Sequence, residues 1–222
     1  MKYRNLAFFL LLGLAYSCAS VRPASDLLIT DDLAAALNAL PSGAKVKLAP
    51  GKYLLNEPVL LEGKENITID GNGATLVMNS LQSDVLHLTG CANIQLLNFK
   101  ATHIEPSGPV GCTGNVIYID ESSDILIEGC DLNGSGIVGI AAYNTDNLRV
   151  LRNHIHQNSE YAMIYQGPSL LLTNNTFDKN GNGNVIYYSY AEKDGPLNWP
   201  PDQELTTDTQ GTGLVMRGNR FK

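Results

Sequence analysis

Apolar residues recur along the chain in short strand-like runs, each closed by a polar, Asn-rich turn and one more apolar residue. Six runs align on this pattern: 67–74, 94–99, 125–132, 148–155, 170–177 and 214–221. Their starts are separated by 27, 31, 23, 22 and 44 residues, and the last interval is twice 22, so one repeat carries about 20 additional residues. A second run precedes the first by nine residues in four repeats, at 85–88, 116–119, 139–142 and 161–164. Residues 185–188 form its fifth member, with the extra stretch, about 191–210, directly behind it.

A unit of about 22 residues with three short strands cannot bury an apolar face alone, whereas parallel stacking of such units buries a continuous core and pairs each strand with its copies. The expected fold is therefore all-β, a single-stranded parallel β-helix of about 5–6 coils over residues 31–222, with a loop inserted at about 191–210. The alignment gives Asn72, Asn153, Asn175 and Asn219 one shared turn position. Stacking spaces them by about 4.8 Å, close enough for side-chain amides to hydrogen-bond from coil to coil. Phe99 and Cys130 interrupt that ladder in the middle coils.

The entry segment, Asp31 to Leu40, has an acidic first turn and helical periodicity, and is followed by the stretch from Gly43 to Tyr53 with Ala49-Pro50-Gly51 ahead of Tyr53. With these motifs the chain resembles the pectate-lyase-like superfamily of right-handed β-helices over about residues 40–222, and especially its short parallel β-helix repeat members. The resemblance implies a right-handed coil and a short N-terminal helix capping the stack. It implies no single activity, because the scaffold carries lyases, hydrolases, epimerases and proteins without chemistry.

Strand alternation separates inward from outward side chains. With Leu86, Ile117, Ile140, Ala162 and Ile186 inward, together with Leu88, Ile119, Ala142, Ile164 and Tyr188, one outward column reads His87, Tyr118, Ala141, Met163, Tyr187. The next reads Thr89, Asp120, Tyr143, Tyr165, Ser189, with Glu121, Asn144, Gln166 and Tyr190 at the edge. Aromatic rings beside carboxylates and amides suit sugars, whose apolar faces stack while hydroxyls bond to the polar rim. The resemblance places its usual saccharide groove on this sheet. The expected substrate-binding residues are Tyr143, Tyr165, Tyr187, Tyr190, Glu121, Asn144 and Gln166, with Trp199 contributed by an overhanging loop. The plainer alternatives are surface tyrosines favoured by strand propensity and a loop that only shields a strand edge.

Catalysis on this sheet would rest on His87, Tyr118 and Asp120 as an acid/base set. A calcium-dependent lyase of this fold wants several carboxylates and a basic residue, which the outward columns lack, so Ca²⁺ stays an open cofactor with no assigned ligands. A hydrolase wants two carboxylates across a sugar bond, and the consecutive pair Asp120 and Glu121 does not offer that. Two readings follow: a polysaccharide-binding module, or a lyase or epimerase acting on an acidic glycan. Elsewhere, His154 and His156 flank Ile155 opposite Asp131 and Asp178. This pattern suits a divalent metal or, more simply, charge pairing across coils; the sequence assigns no metal ligand there.

The ends and the charge place the protein. Lys2 and Arg4 precede an apolar run from Leu6 to Leu14, as in a secretory signal over residues 1–17. The segment Ala15-Tyr16-Ser17-Cys18 resembles the lipobox of bacterial lipoproteins, with Ala15 where Leu is usual. It implies cleavage before Cys18, acylation of that cysteine, a linker over 18–30 and anchoring to a membrane in the periplasm or at the cell surface. Cleavage after Ala19 or Ser20 would instead release a secreted protein. Removing Lys2 and Arg4 leaves 13 basic against 22 acidic residues and a net charge of about −9, a poor match to nucleic acid, whose phosphates require Lys and Arg. Cys91, Cys112 and Cys130 permit at most one intramolecular disulfide, either Cys91 with Cys112 or Cys112 with Cys130. A last coil left bare would expose strand edges and invite weak self-association.

Overall fold

The computed structural model describes residues 32–104, 112–134, 137–188 and 203–222. The chain winds through about six coils and lays down three sheets. Sheet 1 holds the parallel strands Val59–Glu62, Leu86–Thr89, Ile117–Asp120, Val138–Tyr143, Tyr161–Gln166 and Gly183–Tyr188. Sheet 2 holds Lys45–Lys47, Thr68–Asp70, Ala92–Leu97, Ser123–Glu128, Asp146–Leu151, Leu170–Thr173 and Leu214–Arg217. Sheet 3 holds Lys52–Leu55, Thr75–Met78, Lys100–His103, Asp131–Asn133, His154–His156, Thr176–Asp178 and Arg220–Phe221. The expected all-β coil stack with one short N-terminal helix is what the chain forms.

Stacking turns each alternation into a buried column. In sheet 2, Ile69, Leu96, Ile127, Val150, Leu172 and Met216 are in register from coil to coil, and none is more than 2% exposed. Each such side chain contributes roughly 1.5–3 kcal/mol by leaving water. Because every member touches its copies above and below, the core is one continuous cluster.

The turn from sheet 2 to sheet 3 carries the amide ladder. Asn153 Nδ2 donates to Asn175 Oδ1 at 3.1 Å and Asn175 Nδ2 to Asn219 Oδ1 at 3.0 Å, while the same oxygens accept from the backbone N–H groups of Asn153 and Asn175. Cys130 enters below them, its N–H donating to Asn153 Oδ1 at 2.8 Å. Asn72 does not join: four residues link Thr68–Asp70 to Thr75–Met78, where only two link Ala92–Leu97 to Lys100–His103. In that longer turn Gly71 lies against Phe99, so closely that a Cβ would come within 2.3 Å of the Phe99 Cβ. Asn72 is displaced to an exposed, left-handed position.

The helix Leu33–Asn38 starts at Asp32, whose carboxylate accepts from the Ala35 N–H at 3.3 Å, and buries Leu33, Ala34 and Leu37. Asn38 finishes the cap, its Oδ1 accepting from the Leu60 N–H at 2.7 Å and its Nδ2 donating to the Pro58 carbonyl at 3.3 Å. These bonds occupy backbone groups of the outermost sheet 1 strand that would otherwise form an open edge.

At the other end the described part of the insertion folds back. Gln203–Leu205 pairs antiparallel with Gly183–Tyr188 and Gln210–Gly211 antiparallel with Leu214–Arg217. Asp208 Oδ1 closes the amide ladder, accepting from Asn219 N at 3.1 Å and Nδ2 at 2.8 Å. Sheets 1 and 2 therefore do not end in the bare coil on which the expected self-association depended. Among the described residues Cys91, Cys112 and Cys130 are all free thiols: Cys91 Sγ donates to the Leu61 carbonyl and Cys130 Sγ to the Glu128 carbonyl. The signal segment 1–17, the linker 18–30 with Cys18, and Tyr190 and Trp199 lie outside the described residues.

Candidate functional site

The register of sheet 1 fixes which side chains share its outward side. One column runs Leu60, His87, Tyr118, Ala141, and the next runs Glu62, Thr89, Asp120, Tyr143. His87, Tyr118, Asp120 and Tyr143 therefore lie together, as the alternation predicts. The imidazole of His87 and the ring of Tyr118 have centroids 4.6 Å apart at 32°, and Tyr118 and Tyr143 follow at 5.9 Å and 46°. Three rings from three successive coils thus form one contiguous, half-buried run.

Polar groups hold the run in place. Asp84 Oδ2 lies 2.8 Å from His87 Nδ1, while its Oδ1 accepts from the Asn115 N–H at 2.7 Å and Nδ2 at 2.9 Å. His87 Nε2 lies 3.1 Å from the Thr89 hydroxyl. With the proton on Nδ1, directed at Asp84, the remaining lone pair of the ring faces Thr89. Asp120 Oδ1 accepts from the Asn144 side chain at 3.1 Å and from the Glu121 N–H at 3.0 Å. Glu121 and Asn144 occupy the same left-handed turn position, with φ of 47° and 46°, so the Glu121 carboxylate is exposed beyond the strand and does not form a pair with Asp120 across the face.

Burial, then Asp120 and Asp84, raise the Tyr118 phenol above its ordinary value. Burial, then Tyr118, Tyr188 and Asp120, push the Tyr143 phenol up to about 12. Both phenols therefore stay protonated at neutral pH, suited to donating hydrogen bonds and to stacking rather than to taking a proton.

Tyr165 and Tyr187 are not outward, contrary to expectation. Tyr165 is fully buried, its hydroxyl donating to the Thr145 or Ser169 carbonyl, each at 2.8 Å, and accepting from the Ser169 N–H at 3.1 Å. Tyr187 stacks on it at 6.2 Å and packs against the core. The reason is a change of turn length. The coil offset is 23 residues in sheet 1, where Ile140 pairs with Met163, and 22 in sheet 2, where Leu148 pairs with Leu170. The turn at Gly167 is thus one residue short, so a position counted back from the sheet 2 strand is out by one, while the strand itself keeps the phase of its neighbours: Ile117, Ile140, Met163 and Val185 form one inward column and Ile119, Ala142 and Tyr165 the next. Ala162 and Met163 both point in, Ile164 and Ile186 align with the outward His87 column, and Gln166 and Tyr188 align with each other at its edge. Gly167 is required because a Cβ would lie 1.9 Å from the Thr145 carbonyl oxygen.

Two further features lie on sheet 3. Asp131, His154 and His156 place one ligand-capable atom each within 4.8 Å of one another. A cavity of about 630 Å³ lies farther along, lined by Lys52, Thr75, Thr102, His103 and Asn133 among others. His103 there is buried, with Nε2 on the Ser83 carbonyl at 2.9 Å and no partner for Nδ1 among the described residues. Desolvation lowers its pKa. The cavity opens on sheet 3, whereas the ring run lies on sheet 1, and Asp84 stands between them, bonded to His87 and acting electrostatically on His103.

No curated protein matches the chain. Among protein families, residues 58–194 match the one described as right handed beta helix region, which covers most of the coils and the whole ring run. The chain belongs to the right-handed β-helix family.

Proposed function

We propose that this β-helix, a relative of the pectate-lyase-like proteins, binds polysaccharide through the outward side of sheet 1. The observation that carries this reading is the run His87, Tyr118, Tyr143, three rings in contact across three coils. A rigid sheet presents them at fixed spacing, so stacking a sugar face costs little ordering of the protein. Asp120, Glu121, Asn144 and Gln166 supply the polar rim. The acidic chain, with formal net charge −7, repels polyuronates unless a divalent cation such as Ca²⁺ bridges them, so neutral glycans are the preferred class. Export and a lipid anchor on Cys18 would hold this face at the cell envelope.

Affinity electrophoresis and calorimetry against neutral and uronate polysaccharides test the reading. Tyr118→Ala and Tyr143→Ala should each weaken binding about tenfold, or about 1.4 kcal/mol; retention of full affinity in both variants would sink it. Loss of acyl labelling in Cys18→Ala tests the anchor.

The Asp84–His87 contact favours a second reading, an acid/base enzyme acting on an acidic glycan. Asp84 orients the imidazole as a carboxylate orients a general base, and Tyr118 stands ready as a proton donor. Release of unsaturated sugar, followed by ultraviolet absorbance and abolished in His87→Ala, would establish a lyase. Against this reading, the free nitrogen of His87 is engaged by Thr89.

A further inference from the structure

We infer that Asp131, His154 and His156 form a binding site for a divalent transition metal of the zinc type, independent of the ring run on sheet 1. His154 and His156 are two apart on one strand, so both project from the outward side of sheet 3 while Ile155 between them is buried in the core. Their rings stack at 3.9 Å and 14°, which aligns two imidazoles as a chelating pair. Asp131 is the residue of the preceding coil that pairs with His154, and its Oδ1 already lies 2.9 Å from His156 Nε2.

One atom from each of the three residues falls within 4.8 Å of the others. Zinc bonds of about 2.1 Å to nitrogen and oxygen set tetrahedral ligand separations of about 3.4 Å, so small side-chain rotations suffice to close the site. Two imidazoles and one carboxylate form a borderline donor set that selects late first-row metals over Mg²⁺ or Ca²⁺. Water would fill the fourth position. Asp178 pairs with His156 from the following coil and brings a carboxylate oxygen 3.9 Å from His154 Nε2, adding negative charge at the edge of the site. Lys100 approaches Asp131 through the other oxygen, Oδ2, at 3.7 Å, and its side chain is 60% exposed. It can swing away when a cation binds. A metal held here would join two consecutive coils by bonds that the unfolded chain does not preorganise, so binding raises the stability of the native coil stack by mass action.

The test uses the full chain freed of metal with a chelator and titrated with Zn²⁺ or Co²⁺. We expect one metal per chain, visible Co²⁺ absorption of the intensity of a tetrahedral site, and a rise in melting temperature with added Zn²⁺. The double variant His154→Ala/His156→Ala should lose binding by about 100-fold or more, and Asp131→Asn, nearly isosteric and expected to fold, by about tenfold. Asp146→Asn, an exposed acid elsewhere, should leave affinity unchanged. Absence of binding by the wild type at millimolar Zn²⁺, or equal affinity in the wild type and a folded Asp131→Asn or double variant, would overturn the site.

Discussion

The hydroxyl of Tyr165 lies 2.8 Å from the carbonyl of Thr145, one coil earlier in the stack. In the two preceding coils the turn between sheets 1 and 2 is fastened by a small hydroxyl: Ser122 Oγ bonds the Asp120 carbonyl and the Cys91 N–H, and Thr145 Oγ1 bonds the Tyr143 carbonyl. Gly167 has no side chain to do this, and the phenol reaches across from inside the coil instead.

Tyr165→Phe should therefore destabilise the fold without touching the ring run. Leaving the buried turn carbonyls short of a donor costs about 1–3 kcal/mol, a fall in Tm of roughly 2–4 °C per kcal/mol for a chain of this size. Calorimetry measures it, and polysaccharide affinity at a temperature where both proteins are folded should stay unchanged.

Asn175→Ala should be far more damaging than an exposed amide loss. Asn175 is fully buried and makes bonds to Val150, Asn219 and Asn153, including the Asn153 backbone, so its removal should cost more than about 3 kcal/mol. Asn56→Ala, which loses only the exposed bond from Asn79, should cost less than about 1 kcal/mol. Urea unfolding of both variants compares them directly, and a double-mutant cycle between Asn153 and Asn175 should show strong coupling.

The Tyr143 phenol predicts alkaline instability. Its native value of about 12 exceeds the value of about 10 expected of an unfolded tyrosine. The native state therefore holds that proton more tightly, and the associated stability is complete below pH about 10 and declines as pH rises toward about 12. Tyr143→Phe should flatten this part of the profile. Phenolate absorbance during titration should show one late-ionising tyrosine that the variant lacks.

The three thiols should separate by burial. Burial raises the Cys91 thiol and pushes Cys130 up to about 12, whereas Cys112 is half-exposed. A thiol-disulfide reagent should titrate Cys112 in the native protein and reach Cys91 and Cys130 only in denaturant. In a Cys18→Ala background, fewer than these three thiols under denaturing conditions would mean that a pair has formed.

The coil stack was legible in the sequence because each turn repeats the same local demands: an apolar residue facing in, a left-handed or amide-bearing turn residue, then a strand. Asn153, Asn175 and Asn219 could be aligned for this reason, as could the neighbouring His87, Tyr118, Asp120 and Tyr143. What misled was any change in turn length. Two additional residues removed Asn72 from the ladder, and the residue missing at Gly167 put the repeat alignment of Tyr165 out by one, which exchanges every inward for an outward position of a strand; in the fold Tyr165 continues the inward column of Ile119 and Ala142. Asp84 carried no periodic signal, lying just before its strand. The second amide pair, Asn158 Nδ2 donating to Asn180 Oδ1 at 2.9 Å, did carry one, since these two are spaced by 22 residues like Asn153 and Asn175.

Parallel coils are open-ended by nature: the top of one offers the hydrogen-bonding pattern that the base of another can continue. Gln203–Leu205 and Gln210–Gly211 run against the grain of the strands they cover. Their outer edges consequently carry the wrong polarity for a further parallel turn, and a second molecule arriving head-to-tail meets a mismatched template. The reversal acts as punctuation on two of the three sheets, leaving Arg220–Phe221 of sheet 3 as the outermost parallel strand among the described residues.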